Sequence, residues 1–430
     1  MKNYLIVAKN TSEMILINKT LKSKNIETDL VPAPPETGTV CAIAVKFSKV
    51  VLDRVKIILK IENLKYIHLI EEKKLKLQGL IDKNYISKVS YEFIDILKKI
   101  EDGKDLNLDD IEYLLKTDKK KEEEIIFSTA DRIRKETVGD VVEIRGAIEF
   151  SNYCKKNCKY CGISGSNNTV KRYRMDEEEI MDVVYYLKSL GIKTVILQSG
   201  EDSKWNIDRL IPLIKRIKKE TKMKITLSVG EKTKEEYKIL KEAGGDNFLL
   251  KIETTNRELF KKIHPDDDYD YRIKCSKWLK ELGYINGSGN ILGLPGQTIR
   301  DLAGDILFFK NMGINMIGIG PFIPAKGSEY ENMEKGDINL TIRAVATTRI
   351  VCQKVFIPST TALASLSPDA QIKALKAGAN TIMLINTPKK YRDNYNIYDN
   401  KNMVDLQAAF EATLSAGRKL PSYLNIESVR

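Results

Sequence analysis

Cys154, Cys158 and Cys161 stand together in the run Cys-Lys-Lys-Asn-Cys-Lys-Tyr-Cys, directly after the apolar stretch Val141 to Phe150. Thiolates packed this tightly can wrap one small metal centre. A cubane iron–sulfur cluster normally takes four protein thiolates, one per iron. Three thiolates leave one iron open to a small chelate. An open iron on a low-potential cluster suits reductive cleavage of S-adenosylmethionine (SAM) to a carbon-centred radical. A structural zinc site would instead want four closed ligands, commonly two Cys-x-x-Cys pairs or cysteines with histidine. The chain has no second pair, and its two histidines, His68 and His264, lie far off in sequence. A disulfide with a spare thiol would need an oxidising compartment, for which nothing else in the chain argues.

Further residues have chemical use if they meet these cysteines. In Ser199-Gly200-Glu201-Asp202 the glycine lets backbone approach a ligand, so main-chain groups near Ser199 and Gly200 can bind an ammonium group. Glu201 and Asp202 also have a plainer reading as carboxylates capping a helix, and for Asp202 that reading is preferred. Glu253 can hold ribose hydroxyls through paired acceptor oxygens. Arg272 can grip a carboxylate in a bidentate fork, although a lone arginine is more often a surface ion pair. Tyr160, just before the last cysteine, can shield a cluster or touch adenine.

Alternating patterns say how such residues would be positioned. Strand-like runs are Val141–Phe150, Thr194–Ser199, Lys224–Val229, Asn247–Glu253, Ile285–Leu294, Met316–Phe322, Lys354–Pro358 and Thr381–Ile385. Between them lie amphipathic segments at Asp176–Leu190, Ile207–Lys219, Lys234–Ala243, Tyr271–Leu282, Ile299–Asn311, Thr341–Val351 and Pro368–Ala377. Gly191, Gly244, Gly283, Gly313 and Gly378 follow helices, where a C-terminal cap tolerates positive φ. Eight strands alternating with helices predict an α/β fold, a parallel (β/α)8 barrel of the TIM type; an open doubly wound sheet is the runner-up. In a barrel the loops after the strands collect on one face. The cysteines, Ser199 to Asp202, Gly230-Glu231, Glu253, Gly293 to Gly296, Gly320-Pro321 and Thr360-Thr361 all fall at that rim.

Ahead of the barrel, the order βαββαβ over the first eighty or so residues predicts a small α+β unit of the split-βαβ kind. The chain divides into this unit (1–85), a helical connector (86–135), the barrel (136–400) and a C-terminal tail (401–430). At 430 residues and 42% apolar content the chain suits one large barrel with an appendage. It has no run of eighteen apolar residues and Met1 to Ala8 lacks the layout of a signal peptide, so a cytoplasmic protein without membrane association is expected. The net charge of +12 raises nucleic acid as a partner, yet the 71 Lys+Arg are interleaved with 59 acidic residues, as on solvated helix faces. No nucleic-acid partner is expected.

From about Ser90 onward the chain resembles the HydE family of radical SAM maturases, which serve assembly of the [FeFe]-hydrogenase active site and are relatives of biotin synthase. The matching stretches are Ile148 to Asn152 leading into the cysteines, Lys171-Arg172-Tyr173-Arg174-Met175, Ile196 to Asp202 and Leu227 to Glu231. Gly293-Leu294-Pro295-Gly296-Gln297-Thr298, Gly318 to Pro324 and Pro358 to Ala362 follow in the same order. The resemblance implies a [4Fe-4S] cluster on the three cysteines and SAM bound near Tyr160, Ser199, Gly200, Glu201, Glu253 and Arg272. It places Thr360 and Thr361 in a mainly polar inner cavity. It also implies an iron–cysteine complex bearing carbonyl and cyanide as substrate, an external ferredoxin- or flavodoxin-like electron donor, and other maturases as partners. On the fourth strand, where the family carries arginines and a histidine, this chain has Asn247, Lys251 and Ile252; Lys251 keeps a charge in the cavity but not the fork. Cys275 and Cys352 fall in or beside helix patterns and read as small packed hydrophobes.

The first unit is similar to small selenium or sulfur carrier-like domains, on its opening strand and helix, Val31-Pro32 and Gly38-Thr39-Val40-Cys41-Ala42. The resemblance makes Cys41 a candidate carrier thiol, with a buried strand cysteine as the plainer reading. It also leaves open an alternative to hydrogenase maturation, a paralogue whose first unit supplies sulfur or selenium for insertion into another substrate.

Overall fold

The computed structural model describes residues 2–38, 43–73, 75, 77–82 and 86–425. The first unit contains β1 (Asn3–Val7), a helix at Thr11–Ser23, β2 (Asp29–Pro32), β3 (Ile43–Ser48), a helix at Leu52–Ile61 and β4 (His68–Glu71). Its antiparallel sheet runs β2-β3-β1-β4. Strand alternation sends Ile6, Val45 and Phe47 against the helix residues Met14, Ile17, Leu21, Val55 and Leu59. Leu5, Val7 and Ala44 fill the other face. The predicted βαββαβ order is present; Cys41 lies outside the described residues.

Three helices follow, at Tyr91–Glu101, Leu108–Lys116 and Lys120–Val138. Their apolar stripes do not form a separate spacer: Phe93, Leu97, Ile111, Leu114, Ile126 and Ile133 belong to the same core as the barrel. Glu122, fully buried, ties them together. Its carboxylate accepts hydrogen bonds from the Ser90 N–H (2.9 Å), the Tyr113 hydroxyl (2.8 Å) and the Thr117 hydroxyl (2.6 Å), which is how a buried charge is kept affordable.

Eight parallel strands form the barrel: β5 (Glu143–Ser151), β6 (Thr194–Ser199), β7 (Lys224–Ser228), β8 (Asn247–Leu249), β9 (Ile285–Leu292), β10 (Met316–Pro321), β11 (Pro358–Ser359) and β12 (Thr381–Ile385). The sheet order is β10-β9-β8-β7-β6-β5-β12-β11. A parallel bridge between Met316 and Phe356 joins its two ends, so the sheet is nearly closed. β11 is shorter and later than the predicted Lys354–Pro358; within that span Phe356 makes only the isolated bridge to Met316. All five predicted capping glycines have positive φ. In β5, Ile144, Ile148 and Phe150 pack outward into the helical layer, and alternation turns Arg145, Ala147, Glu149 and Ser151 inward. The stretch read as a tail carries a helix at Leu406–Ser415 that buries Ala409, Phe410 and Ala412 in the barrel core.

The first unit seats against the N-terminal ends of the strands. Ile43 packs with Ile285, Met316 and Phe356, and the Asn315 amide donates to the Leu30 carbonyl at 2.7 Å. An open groove of about 1990 Å³ runs along this junction, lined in part by Asp29, Glu72, Lys310 and Lys354. It lies at the opposite end of the barrel from the cysteines. Trimming Ile43 to Ala removes the central apolar contact of the junction, a change that costs about 2–5 kcal/mol in a closed core. Ile43→Ala is expected to speed tryptic cleavage between residues 73 and 88 several-fold while the barrel's melting temperature holds, as read by limited proteolysis alongside calorimetry.

Candidate active site

The three cysteines lie in an irregular loop between β5 and the helix at Glu177–Ser189. A loop without ladder hydrogen bonds must satisfy its carbonyls some other way. Arg172 does much of this. Its guanidinium donates to the carbonyls of Asn152 (2.6 Å), Ile163 (2.8 Å), Ser164 (2.6 Å) and Asn167 (3.0 Å), binding both ends of the loop to one side chain. Buried Asn152 adds a second clasp: it accepts from Tyr173 N–H at 2.7 Å and donates to the Lys171 and Asn394 carbonyls. Gly200 at the end of β6 touches this loop so closely that a Cβ there would stand 2.4 Å from the Tyr153 carbonyl and 2.8 Å from Cys154 Cβ. The backbone therefore requires glycine at 200.

Glu201, next along, accepts from the Glu231 N–H at 2.9 Å, and its own N–H points at Cys154 Sγ at 3.4 Å. Ser199 turns its hydroxyl onto the Gly200 carbonyl. Asp202 is not the helix cap the sequence suggested; Asn206 caps that helix. Asp202 instead takes the Ser151 hydroxyl at 2.6 Å and the Arg174 guanidinium at 2.6 and 3.0 Å, and so locks the β5 and β6 ends together. Glu253 carries φ +63°, unusual outside glycine. It bridges to Asn290 and pairs with Lys251 at 2.9 Å. Such backbone strain concentrates at ligand sites. Arg272 is buried and engaged: Nε meets Glu231 at 2.5 Å, Nη2 meets Asp267 at 2.7 Å, and Nη1 donates to the Lys251 carbonyl at 2.7 Å. Three of its five N–H groups are thus taken. Burial works against the charge of Asp267, but His264, Arg272 and Lys156 outweigh it and hold that carboxyl well below the usual range.

His264 is a site residue that sequence distance had set aside. The turn after the helix at Arg257–Ile263 brings its Nδ1 within 3.2 Å of Cys158 Sγ, across 106 residues of chain. The Tyr160 ring meets the imidazole edge-on, with centroids 5.5 Å apart. Burial pushes the His264 pKa down and that of Tyr160 well up. The Cys154, Cys158 and Cys161 thiols are all raised by burial, Cys161 to about 12, with neighbouring thiolates adding to the rise at Cys158 and Cys161. Three such thiols ionise together only against a strong cation.

Inside the barrel, Lys251 lies across β9 and β10: a Cβ on Gly289 would come 2.7 Å from Lys251 Cε, so glycine there makes its room. Asn247 is buried and gives its amide N–H to Thr226, while its Oδ1 has no hydrogen-bond partner among the described residues. Ile252 points the other way, into the helical layer. Thr360 caps the helix at Thr361–Leu366 and donates to the Ile319 carbonyl at 3.3 Å. Thr361 meets the Tyr398 hydroxyl at 2.8 Å. Tyr398 belongs to a strap, 386–404, that crosses the mouth. Its backbone receives Gly162 N–H at Ile397 and gives Asp399 N–H to Pro324, and Lys401 drops inward to pair with Glu149, both side chains nearly fully buried.

A zinc ion with Zn–S of about 2.3 Å would draw tetrahedral sulfurs to about 3.8 Å. The three cysteine sulfurs do not all lie within 4.8 Å of one another, a wider spread than that. Among the described residues, Cys158, His264 and Asp267 form the one group whose ligand atoms all lie within 4.8 Å of one another. None of the three cysteines is disulfide-bonded, and the spread suits a cluster, not a single ion. Such a loop at the mouth of a parallel barrel, facing a strand-end glycine and a strained glutamate, defines the radical SAM class of enzymes.

The family model for the Radical SAM superfamily matches residues 148–309. One described as "Putative Se/S carrier protein-like" matches residues 3–71. The chain is 46% identical to the [FeFe] hydrogenase maturase subunit HydE of Thermotoga maritima over 278 residues, 65% of this chain and 80% of that protein. It is 26% identical to biotin synthase of Acetivibrio thermocellus over 301 residues, 69% of this chain and 92% of the relative. The solved structure of methylornithine synthase (PylB) superposes with a TM-score of 0.69 at 25% identity, covering 78% of this chain and 100% of that one. The chain belongs to the HydE family, whose cofactors are a [4Fe-4S] cluster and SAM. Among the described residues no helix is long and apolar enough to cross a membrane.

Two expectations follow. Arg172→Ala strips four carbonyls of their shared donor, at about 1–3 kcal/mol for each group left unsatisfied. It should keep the barrel's far-UV circular dichroism but lose most of the iron bound after anaerobic reconstitution. Arg172→Lys should recover only part, since an ammonium cannot span the same four acceptors. The second concerns Asp305, which stands behind Glu253 and accepts from Thr255 N–H at 2.6 Å and the Asn290 amide at 3.0 Å. Burial pushes its pKa from 3.8 up to about 7. The unfolded chain therefore ionises first, and this group erodes stability as pH rises from about 4 to about 7, with no further loss above. Asp305→Asn should remove that slope, seen as the difference between denaturant midpoints at about pH 5 and about pH 8.

Proposed function

We propose that this chain is a HydE-type maturase working in the cytoplasm, a radical SAM enzyme that processes a small organometallic substrate for [FeFe]-hydrogenase assembly. The observation that carries the reading is the three-thiol loop clasped over the barrel mouth, in a chain 46% identical to a HydE. Cys154, Cys158 and Cys161 would hold the cluster. When bound, cluster and SAM supply an electron and a 5′-deoxyadenosyl radical. Main-chain groups at Ser199 and Gly200, with Glu201, would receive the methionine ammonium, and Glu253 the ribose hydroxyls. Arg272 would offer its remaining N–H groups to the methionine carboxylate, and Tyr160 would screen the cluster side. Lys251, with Asn247 Oδ1, gives the inner cavity a cation and an open acceptor; Thr360 and Thr361 border it. The strap pinned by Lys401 and Glu149 keeps water and stray hydrogen donors from the radical. Residues 136–400 carry this chemistry.

The carrier-like unit favours a second reading, in which Cys41 conveys sulfur or selenium for insertion into another molecule. An external low-potential electron donor serves either reading. Anaerobic reconstitution with iron and sulfide, then reduction with SAM, should yield 5′-deoxyadenosine, and Cys161→Ser none. Expression in a hydrogenase system lacking its HydE should restore activity. Failure there with 5′-deoxyadenosine still formed would favour the second reading, and absence of 5′-deoxyadenosine from the intact protein would defeat both.

A further inference from the structure

The three sulfurs are hydrogen-bonded in two different ways. Cys154 receives backbone N–H groups from Lys156 and Glu201, and Cys161 receives that of Ile163. Those donors come from the loop's path and would be present whatever side chains stood there. Cys158 meets a side chain instead, the His264 ring, with Nδ1 at 3.2 Å from Sγ. The ring is fixed from several sides. Phe260 lies against it at 4.7 Å between centroids and Tyr160 at 5.5 Å, and the residue is 3% exposed. Backbone contacts pin the turn that carries it to the loop: Lys159 N–H donates to the Ile263 carbonyl at 3.0 Å, and Asn157 N–H to Asp266 at 2.7 Å.

The neighbours of the two ring nitrogens decide where the proton sits. Nδ1 faces Cys158 Sγ and, at 3.3 Å, Asp267 Oδ2, both acceptors once the thiol is a ligand and the carboxyl is charged. Nε2 faces the Tyr160 hydroxyl at 3.5 Å, a group able to donate. That arrangement favours hydrogen on Nδ1, shared between the Cys158 sulfur and the Asp267 carboxylate.

We propose that His264 is a positioning residue for the cluster, donating Nδ1–H to the Cys158 thiolate and raising the cluster's reduction potential. The inference rests on the radical SAM reading of the three cysteines. The physical basis is that reduction adds negative charge to the cluster and its thiolates, and a hydrogen bond to sulfur stabilises the reduced form more than the oxidised one. His264 belongs to a chain of contacts through Asp267 and Arg272 to Glu231, so the same group that tunes the cluster touches the proposed SAM rim.

The test is a redox titration of the full-length, anaerobically reconstituted protein, following the reduced-cluster signal by electron paramagnetic resonance with iron content measured in parallel. Asparagine places an amide N–H where Nδ1 stands; glutamine places it near Nε2, and leucine has none. His264→Leu and His264→Gln should load iron normally and titrate at a more negative potential, and His264→Asn should return most of the way to wild type. If leucine loses the cluster, the asparagine–glutamine pair still decides. Equal potentials in wild type, Asn and Gln would overturn the proposal, as would an equal shift in Asn and Gln, which marks a packing role. An intact protein that takes up no four-iron cluster would overturn the cluster reading itself.

Discussion

The site depends on holding a loop that has no regular structure of its own. A strand or helix satisfies its backbone groups internally; the cysteine loop cannot, because three residues must turn their sulfurs toward one point. Arg172 replaces the missing ladder with one planar, permanently charged fork, bonded to carbonyls from residue 152 to residue 167. The remaining contacts, from Gly200, Asn152 and the strap, set the clasped loop against the barrel.

Around this loop the charges are arranged as alternating pairs. Lys156, Asp267, Arg272 and Glu231 follow one another, and Glu253 and Lys251 form a pair further in. A buried charge without a partner is costly, so each member holds its neighbour in place. The rim is thereby preorganised, and an arriving zwitterion would exchange ion pairs within it instead of ordering loose side chains. The buried Lys401–Glu149 pair extends this logic to the strap, fastening the cover of the mouth to the strand that precedes the cysteines.

The two ends of the barrel are closed by different means. At the mouth, a strap with polar anchors covers the chemistry. At the floor, the first unit presses Ile43 onto Ile285, Met316 and Phe356, an apolar seal. The carrier-like unit thus sits at the end of the barrel away from the thiols.

Much of this was legible in the residue pattern. The period of two in the strands and of 3.6 in the helices located nearly every element, since burial of one face is a local demand on composition. The thiols were legible from spacing alone, because neighbours in a short loop cannot be far apart. The rim was legible as a set, since every parallel strand of a barrel ends on the same side. Tertiary structure decided what those patterns do not encode. Asp202 proved to be a strand tie, because Arg174 and Ser151 reach it before any helix does. Arg272 proved to be already engaged, and Ile252 to face outward. His264 joined Cys158 across four helices and three strands of intervening chain. Periodicity records which face of an element is buried and not what it is buried against. That is set by strand register and by how neighbouring elements close on one another, which only the folded chain fixes.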